Sequence, residues 1–181
     1  VKALDAILAV SCVSLFNGVD DPTRRMLYGL PGEYRRPPHG LEYRPLSNAW
    51  LCHPMITNLV LDFSRRVLMF GRLGLLKLWN ASEQETIDCV INCDLEKAHE
   101  IMDRNKDLLK SIIKSSYPFW MNDAKSENAY NVFYNGINSV IESPDDFEKN
   151  WKFTTGWIYH TGSNTEPNVY KLIHRSANTK F

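Results

Sequence analysis

The sequence predicts an α+β chain, with a few short antiparallel strands near its front and a helical second half. Three observations carry this. Apolar residues recur at helical spacing in the opening stretch. A Gly- and Pro-rich segment from Thr23 to Pro45 holds a period-two pattern. From residue 80 onward, apolar positions again recur three and four apart. The chain divides on this reading into residues 1–79 and a helical extension, 80–181, packed on the first part.

The elements follow in order. Leu4, Ile7, Leu8, Cys12 and Leu15 or Phe16 mark an entering helix, and "NGVDDPT" stops it with turn chemistry. Leu41, Tyr43 and Pro45 alternate with Glu42 and Arg44, which predicts a strand. Ser47 or Asn48 caps the stretch that follows, and Pro54 permits a fresh helix start. Ile56, Leu59, Val60, Phe63, Val67 and Phe70 form its apolar stripe. Asp94 is an N-cap for "LEKAHEIMDRNKDLLKSIIK", with Leu95, Ala98, Ile101, Met102, Leu108, Leu109, Ile112 and Ile113 on the buried face. Ala129, Val132, Phe133, Gly136, Ile137, Val140 and Ile141 mark another helix. Ser143 and Pro144 open a short one after that, and the tail from Thr161 is polar. Glu83, Glu85 and Asp88 read as an acidic, solvated loop.

Composition narrows the function classes. The 181 residues suffice for a sizeable core, and 44% apolar with 23% charged residues is the balance of a globular protein. Twenty-one basic residues offset twenty-one acidic ones, so no global field favours nucleic acid or an anionic membrane. No run reaches the roughly 18 apolar residues of a membrane span. Asp5 interrupts the opening stretch, which reads as a core helix rather than a signal peptide. Cys12, Cys52, Cys89 and Cys93 are too few for a disulfide framework and read as buried reduced thiols.

The electrostatic signal is local. Arg24, Arg25, Arg35, Arg36 and Arg44 fall within 21 residues of one another in sequence. A guanidinium is always charged and grips phosphate or carboxylate with a planar fork of donors. On a strand, Glu42 and Arg44 share a face. Two readings stand on spacing alone: a salt-bridge cluster, or a metal-binding carboxylate beside a phosphate clamp. His39 falls on the opposite face from Glu42 by alternation, and Arg36 reads as a solvated neighbour.

The segment "RRMLYGLPGEYRRPPHGLEYRPLSNAWL", Arg24 to Leu51, resembles the motif block of the COOH–NH2 ligases, or amidoligases, of tailed bacteriophages. The resemblance lies in Arg24-Arg25, Tyr28-Gly29, Gly32 to Arg35, and Gly40-Leu41-Glu42-Tyr43-Arg44-Pro45-Leu46-Ser47-Asn48-Ala49-Trp50. The leucine- and aspartate-containing stretch before it is also similar, so the resemblance covers about residues 1–51; residues 80–181 match only loosely. It implies a glutamine-synthetase-like fold, of which this would be the C-terminal part. It further implies ATP-dependent amide formation through an acyl phosphate. Glu42 would be a Mg²⁺ (or Mn²⁺) ligand. Arg44 and Arg35 would be catalytic, and Arg24, Arg25, Arg35 and Arg44 would hold ATP phosphates and substrate. Tyr28, Tyr34 and Tyr43 would wall the site from water.

The substrates implied are a small-molecule or peptide carboxylate and an amine, in the cytoplasm of an infected bacterial host. The family's earlier motifs are not in these residues. The sequence therefore reads as needing an N-terminal part of the same polypeptide, and the isolated chain is expected to be inactive. Two other classes stay open: a non-catalytic virion or assembly protein that contacts other phage proteins, and an interaction domain with a basic loop for an anionic partner.

Overall fold

The computed structural model describes residues 1–116 and 123–141. They are mostly helical, with one two-stranded antiparallel sheet. The sequence-predicted helix at Ser143–Pro144 and the polar tail lie outside the described residues.

The opening helix is the centre of the core. A π-helical stretch, Leu4–Ala9, runs directly into α1, Val10–Phe16. The sequence stripe predicts one apolar face, yet Val10, Ser11, Cys12, Val13, Ser14, Leu15 and Phe16 are all buried. A helix buried on every side needs partners all round. The π stretch packs on α3 (Pro54–Arg72) and α4 (Glu83–Ile91). Helix α1 packs on α4, α5 (Leu95–Arg104) and α7 (Asp123–Asn135). The core therefore draws on residues before and after position 80 alike. Phe63 on α3 meets Phe133 on α7 with ring centroids 4.8 Å apart. Ser14, fully buried, donates to the Phe133 carbonyl at 2.9 Å, and His99 Nε2 lies 2.9 Å from the same hydroxyl.

Local chemistry places the other elements. Asp21 caps the short helix α2 (Pro22–Leu27) by accepting from Thr23 N, with Pro22 at the first helical position. Ser47 accepts from Ala49 N and starts a 3₁₀ turn, Asn48–Leu51. His53, its imidazole pKa lowered by burial, accepts from Met55 N and caps α3. All six residues of the predicted α3 stripe are buried.

Three expectations change. The helix predicted from Asp94 onward divides into α5 and α6 (Lys106–Ser116) at Asn105. The Asn105 amide is buried; it donates to the Ile101 and Asn80 carbonyls and accepts from Asn80 N. The side chain bonds replace the backbone continuity. The acidic stretch read as a loop is the start of α4: Ser82 accepts from Glu85 N and Glu85 accepts from Ser82 N, a complete capping box. The helix predicted through Ile141 stops at Asn135, because Gly136 has φ of +87° and a Cβ there would lie 2.6 Å from Asn17 Cβ.

Candidate functional site

The sheet is a hairpin made of the motif block. Strand β1, Tyr34–Arg35, pairs with β2, Glu42–Tyr43, in the register Tyr34 opposite Tyr43 and Arg35 opposite Glu42. Arg44 N donates to Glu33 O at 3.2 Å and extends the pairing by one step. Directly opposed residues project to one face. Arg35 accordingly donates to Glu42 Oε2 from Nε at 3.0 Å and from Nη2 at 2.5 Å. Arg44 Nε lies 3.6 Å from Glu42 Oε1. Its guanidinium also sits 4.2 Å from the Tyr28 ring centroid, and its Nε donates to the Tyr28 hydroxyl at 3.0 Å. Three charged side chains thus form a row, Arg35–Glu42–Arg44. The hydrogen bond from Arg35 is the main force holding the Glu42 pKa below the usual carboxylate value. Arg36 lies apart, over the Tyr34 ring.

The expectation that Glu42 and Arg44 share a face is met in this geometry, and Arg35 joins them. The Arg35 side chain is 64% exposed and that of Glu42 38%, so among the described residues the row stands on an open face.

Arg24 and Arg25 have another environment. Arg25 is 2% exposed and donates through Nη2 to Asp20 Oδ2 at 2.6 Å. Its Nη1 donates to the carbonyls of Gly29 and Pro45. Arg24 donates to Asp20 Oδ1 at 3.0 Å and to Pro45 O at 2.8 Å. Both guanidiniums therefore grip the backbone one residue beyond Arg44. Gly29 makes this possible: its φ is +84°, and a Cβ would lie 2.7 Å from Arg24 Nη1. The resemblance assigns these two arginines to ATP phosphates; in this fold they turn to Asp20 and to backbone carbonyls.

Two acidic residues to which sequence reading gives no site role organise the motif. Asp20 is the buried counter-charge for Arg24 and Arg25. Asp5, in the π-helical stretch, accepts from the Tyr43 hydroxyl at 2.7 Å and from Gly32 N at 3.1 Å. Burial raises the Asp5 pKa despite these two bonds, and burial together with Asp5 pushes Tyr43 well up. The available signal was a lone charge in an apolar helix. A cavity of about 280 Å³ opens on this side, lined in part by Asp5, Pro31, Gly32, Trp79 and Thr86.

A Mg²⁺ ion is held by several oxygens in near-octahedral order. Among the described residues no group of three or more His, Cys, Asp or Glu side chains could hold a metal. Glu42 stands between two guanidiniums, and His39 is exposed on the connecting loop. These residues do not by themselves fit the expected metal. Cys12, Cys52 and Cys89 are buried and, with Cys93, free thiols. No helix among the described residues is long and apolar enough to cross a membrane.

The chain matches the protein family described as Phage phiEco32-like COOH.NH2 ligase-type 2 over residues 1–153. It belongs to this family. The match extends well past residue 51, so α4 to α7 are part of what the family model covers. Searches of curated proteins and of solved structures gave no match. The motif block of this family member is the hairpin with its row of charges and the two arginines behind it.

Proposed function

We propose that this ligase joins a carboxylate to an amine with ATP, through an acyl phosphate, and that the hairpin is an edge of a glutamine-synthetase-like site. A carboxylate oxygen attacks the γ-phosphorus and ADP leaves. The amine nitrogen then attacks the acyl carbon, inorganic phosphate leaves, and the nitrogen loses a proton to water as the amide forms. Both steps gather negative charge on phosphoryl oxygens, which fixed guanidiniums stabilise.

The observation that carries this reading is the preassembled Arg35–Glu42–Arg44 row. Two cations against one carboxylate leave a positive excess on an open face. Glu42 orients both forks, and the Tyr28 ring fixes Arg44 from the far side. Arg35 and Arg44 would contact the transferring phosphoryl group and the substrate carboxylate. Arg24 and Arg25 would act indirectly, by fixing the backbone at Pro45. A divalent metal, if the reaction uses one, needs oxygen ligands beyond those described.

Positional isotope exchange in ¹⁸O-labelled ATP tests the first step directly. A panel of amino-acid and peptide carboxylates should include one that induces exchange without any amine. Arg44→Ala should lower that exchange by about 10²–10³, the usual effect of removing one oxyanion donor. Absence of carboxylate-dependent exchange across the panel, measured on the full-length polypeptide, would overturn the reading. A second reading, a non-catalytic assembly protein, draws on Met26 and Leu27, which are 77% and 88% exposed on α2. It expects stable association with another phage protein and no ATP chemistry.

A further inference from the structure

Asp5 is the only acidic residue among the first nineteen of the chain. It is 8% exposed and sits where the core helix takes its π-helical turn. An ionised carboxylate is costly there, and an apolar residue would not carry that cost. Its two oxygens go to different arms of the hairpin. Gly32, which donates to Oδ2, precedes β1. Tyr43, which donates to Oδ1, lies in β2 between Glu42 and Arg44.

We propose that Asp5 is a positioning residue: it anchors both arms of the hairpin to the core helix and thereby holds Arg35, Glu42 and Arg44 in register. The inference rests on reading that row as the oxyanion site. Each strand has two residues, and the loop between them carries two prolines. A bare two-stranded hairpin is marginal in water. A slip of one residue would send Arg35 and Glu42 to opposite faces. The grip of Arg24 and Arg25 on Pro45 fixes the chain after Arg44, but it leaves the β1 arm to Asp5 and to Glu33, which accepts from Gly29 N. The Tyr43 ring spans from the sheet to the core helix, on the side away from the row.

Amide hydrogen exchange of the protein tests the anchor. Asp5→Asn keeps the side-chain size but loses one acceptor, and Tyr43→Phe loses only the hydroxyl. Both should speed exchange at the Arg44 amide by at least about tenfold, the loss expected for roughly one buried hydrogen bond. The α5 amides should keep their protection. Acidification gives a second readout. The folded state holds the Asp5 proton more tightly than the unfolded chain does. Its contribution to global stability is thus full below the ordinary carboxylate range and is lost as pH rises through the raised value. Opening the hairpin hydrates Asp5, so hairpin protection should carry the same sign and weaken as pH rises through that value. Asp5→Asn should lack that step. Glu83→Gln should keep it; Glu83 is the other side-chain charge acting on Asp5.

Inorganic tripolyphosphate then reads the row itself by calorimetry: both variants should bind it at least about fivefold more weakly than the wild type. Faster hairpin exchange in a protein whose wild type binds no tripolyphosphate would support the anchor and sink the oxyanion reading. Unchanged hairpin amides, or protection lost evenly across the chain, would overturn the anchor.

Discussion

Arg25 and Arg35 are ten positions apart, both belong to the motif block, and both are paired with a carboxylate. Their surroundings have little else in common. The Arg25–Asp20 pair is enclosed, each side chain 3% exposed, and Arg25 also serves two backbone carbonyls. The Arg35–Glu42 pair is open, its arginine side chain 64% exposed. A buried guanidinium cannot leave its partners without stranding a charge, so it acts as scaffold. An exposed one can exchange a carboxylate for a ligand oxyanion at little cost. Burial, and not residue type or motif membership, separates the arginines locked into the fold from those that face solvent.

The largest expected effect is on the enclosed side. Arg25→Ala leaves Asp20 buried without its closest cation and should cost about 3–5 kcal/mol of stability in urea denaturation. Arg25→Lys should recover less than half, because an ammonium cannot reach three acceptors as a fork does. On the open side the pattern should invert. Arg35→Ala should leave the urea midpoint where it was while lowering carboxylate-dependent ADP release by about 10²-fold. An Arg35 variant that unfolds, or an Arg25 variant that is stable and merely inactive, would break the contrast. Gly29→Ala probes the junction between the two: its positive φ and the 2.7 Å approach to Arg24 predict a cost of about 1–3 kcal/mol, read by the same denaturation assay.

The smallest effect sharpens the comparison with an exposed arginine that has a structural partner. Glu85, in the α4 capping box, has its pKa lowered to about 2, first by the Ser82 backbone N–H and then by Arg104. A depressed value in the folded state means stability that is present above the ordinary carboxylate value and lost as pH falls from there toward 2. Glu85→Gln should flatten the stability profile in that window, as followed by urea midpoints at stepped pH, and leave ADP release near neutral pH unchanged.

The local signals for the fold were readable wherever a side chain acts on its own neighbours. The stripe of α3, the Asp94 cap and the alternation around Glu42 all depend on residues a few positions apart. The Ser82–Glu85 box was equally local, and its acidic composition hid it. The break at Asn105 depends on Asn80, and the closure of the core around α1 on partners as far as Phe133; neither leaves a short-range trace. The same division runs through the candidate site. The proximity of Arg35, Glu42 and Arg44 follows from strand period and hairpin register. Nothing near Arg25 in sequence tells its burial apart from the exposure of Arg35, since that depends on Asp20, Gly29 and Pro45 closing around it.

The central helix also sets a schedule for biosynthesis. Ser14 bonds to the carbonyl of Phe133, 119 residues further along. At about 5–20 residues per second, translation takes roughly 6–24 s to produce that partner after the helix itself. Throughout that interval Ile7, Leu8, Leu15 and Phe16, all at most 1% exposed once folded, lack much of the surface that finally encloses them. The nascent chain thus offers chaperones an apolar helix before its partners exist, and polar substitutions at these four positions should lower yield in the cell.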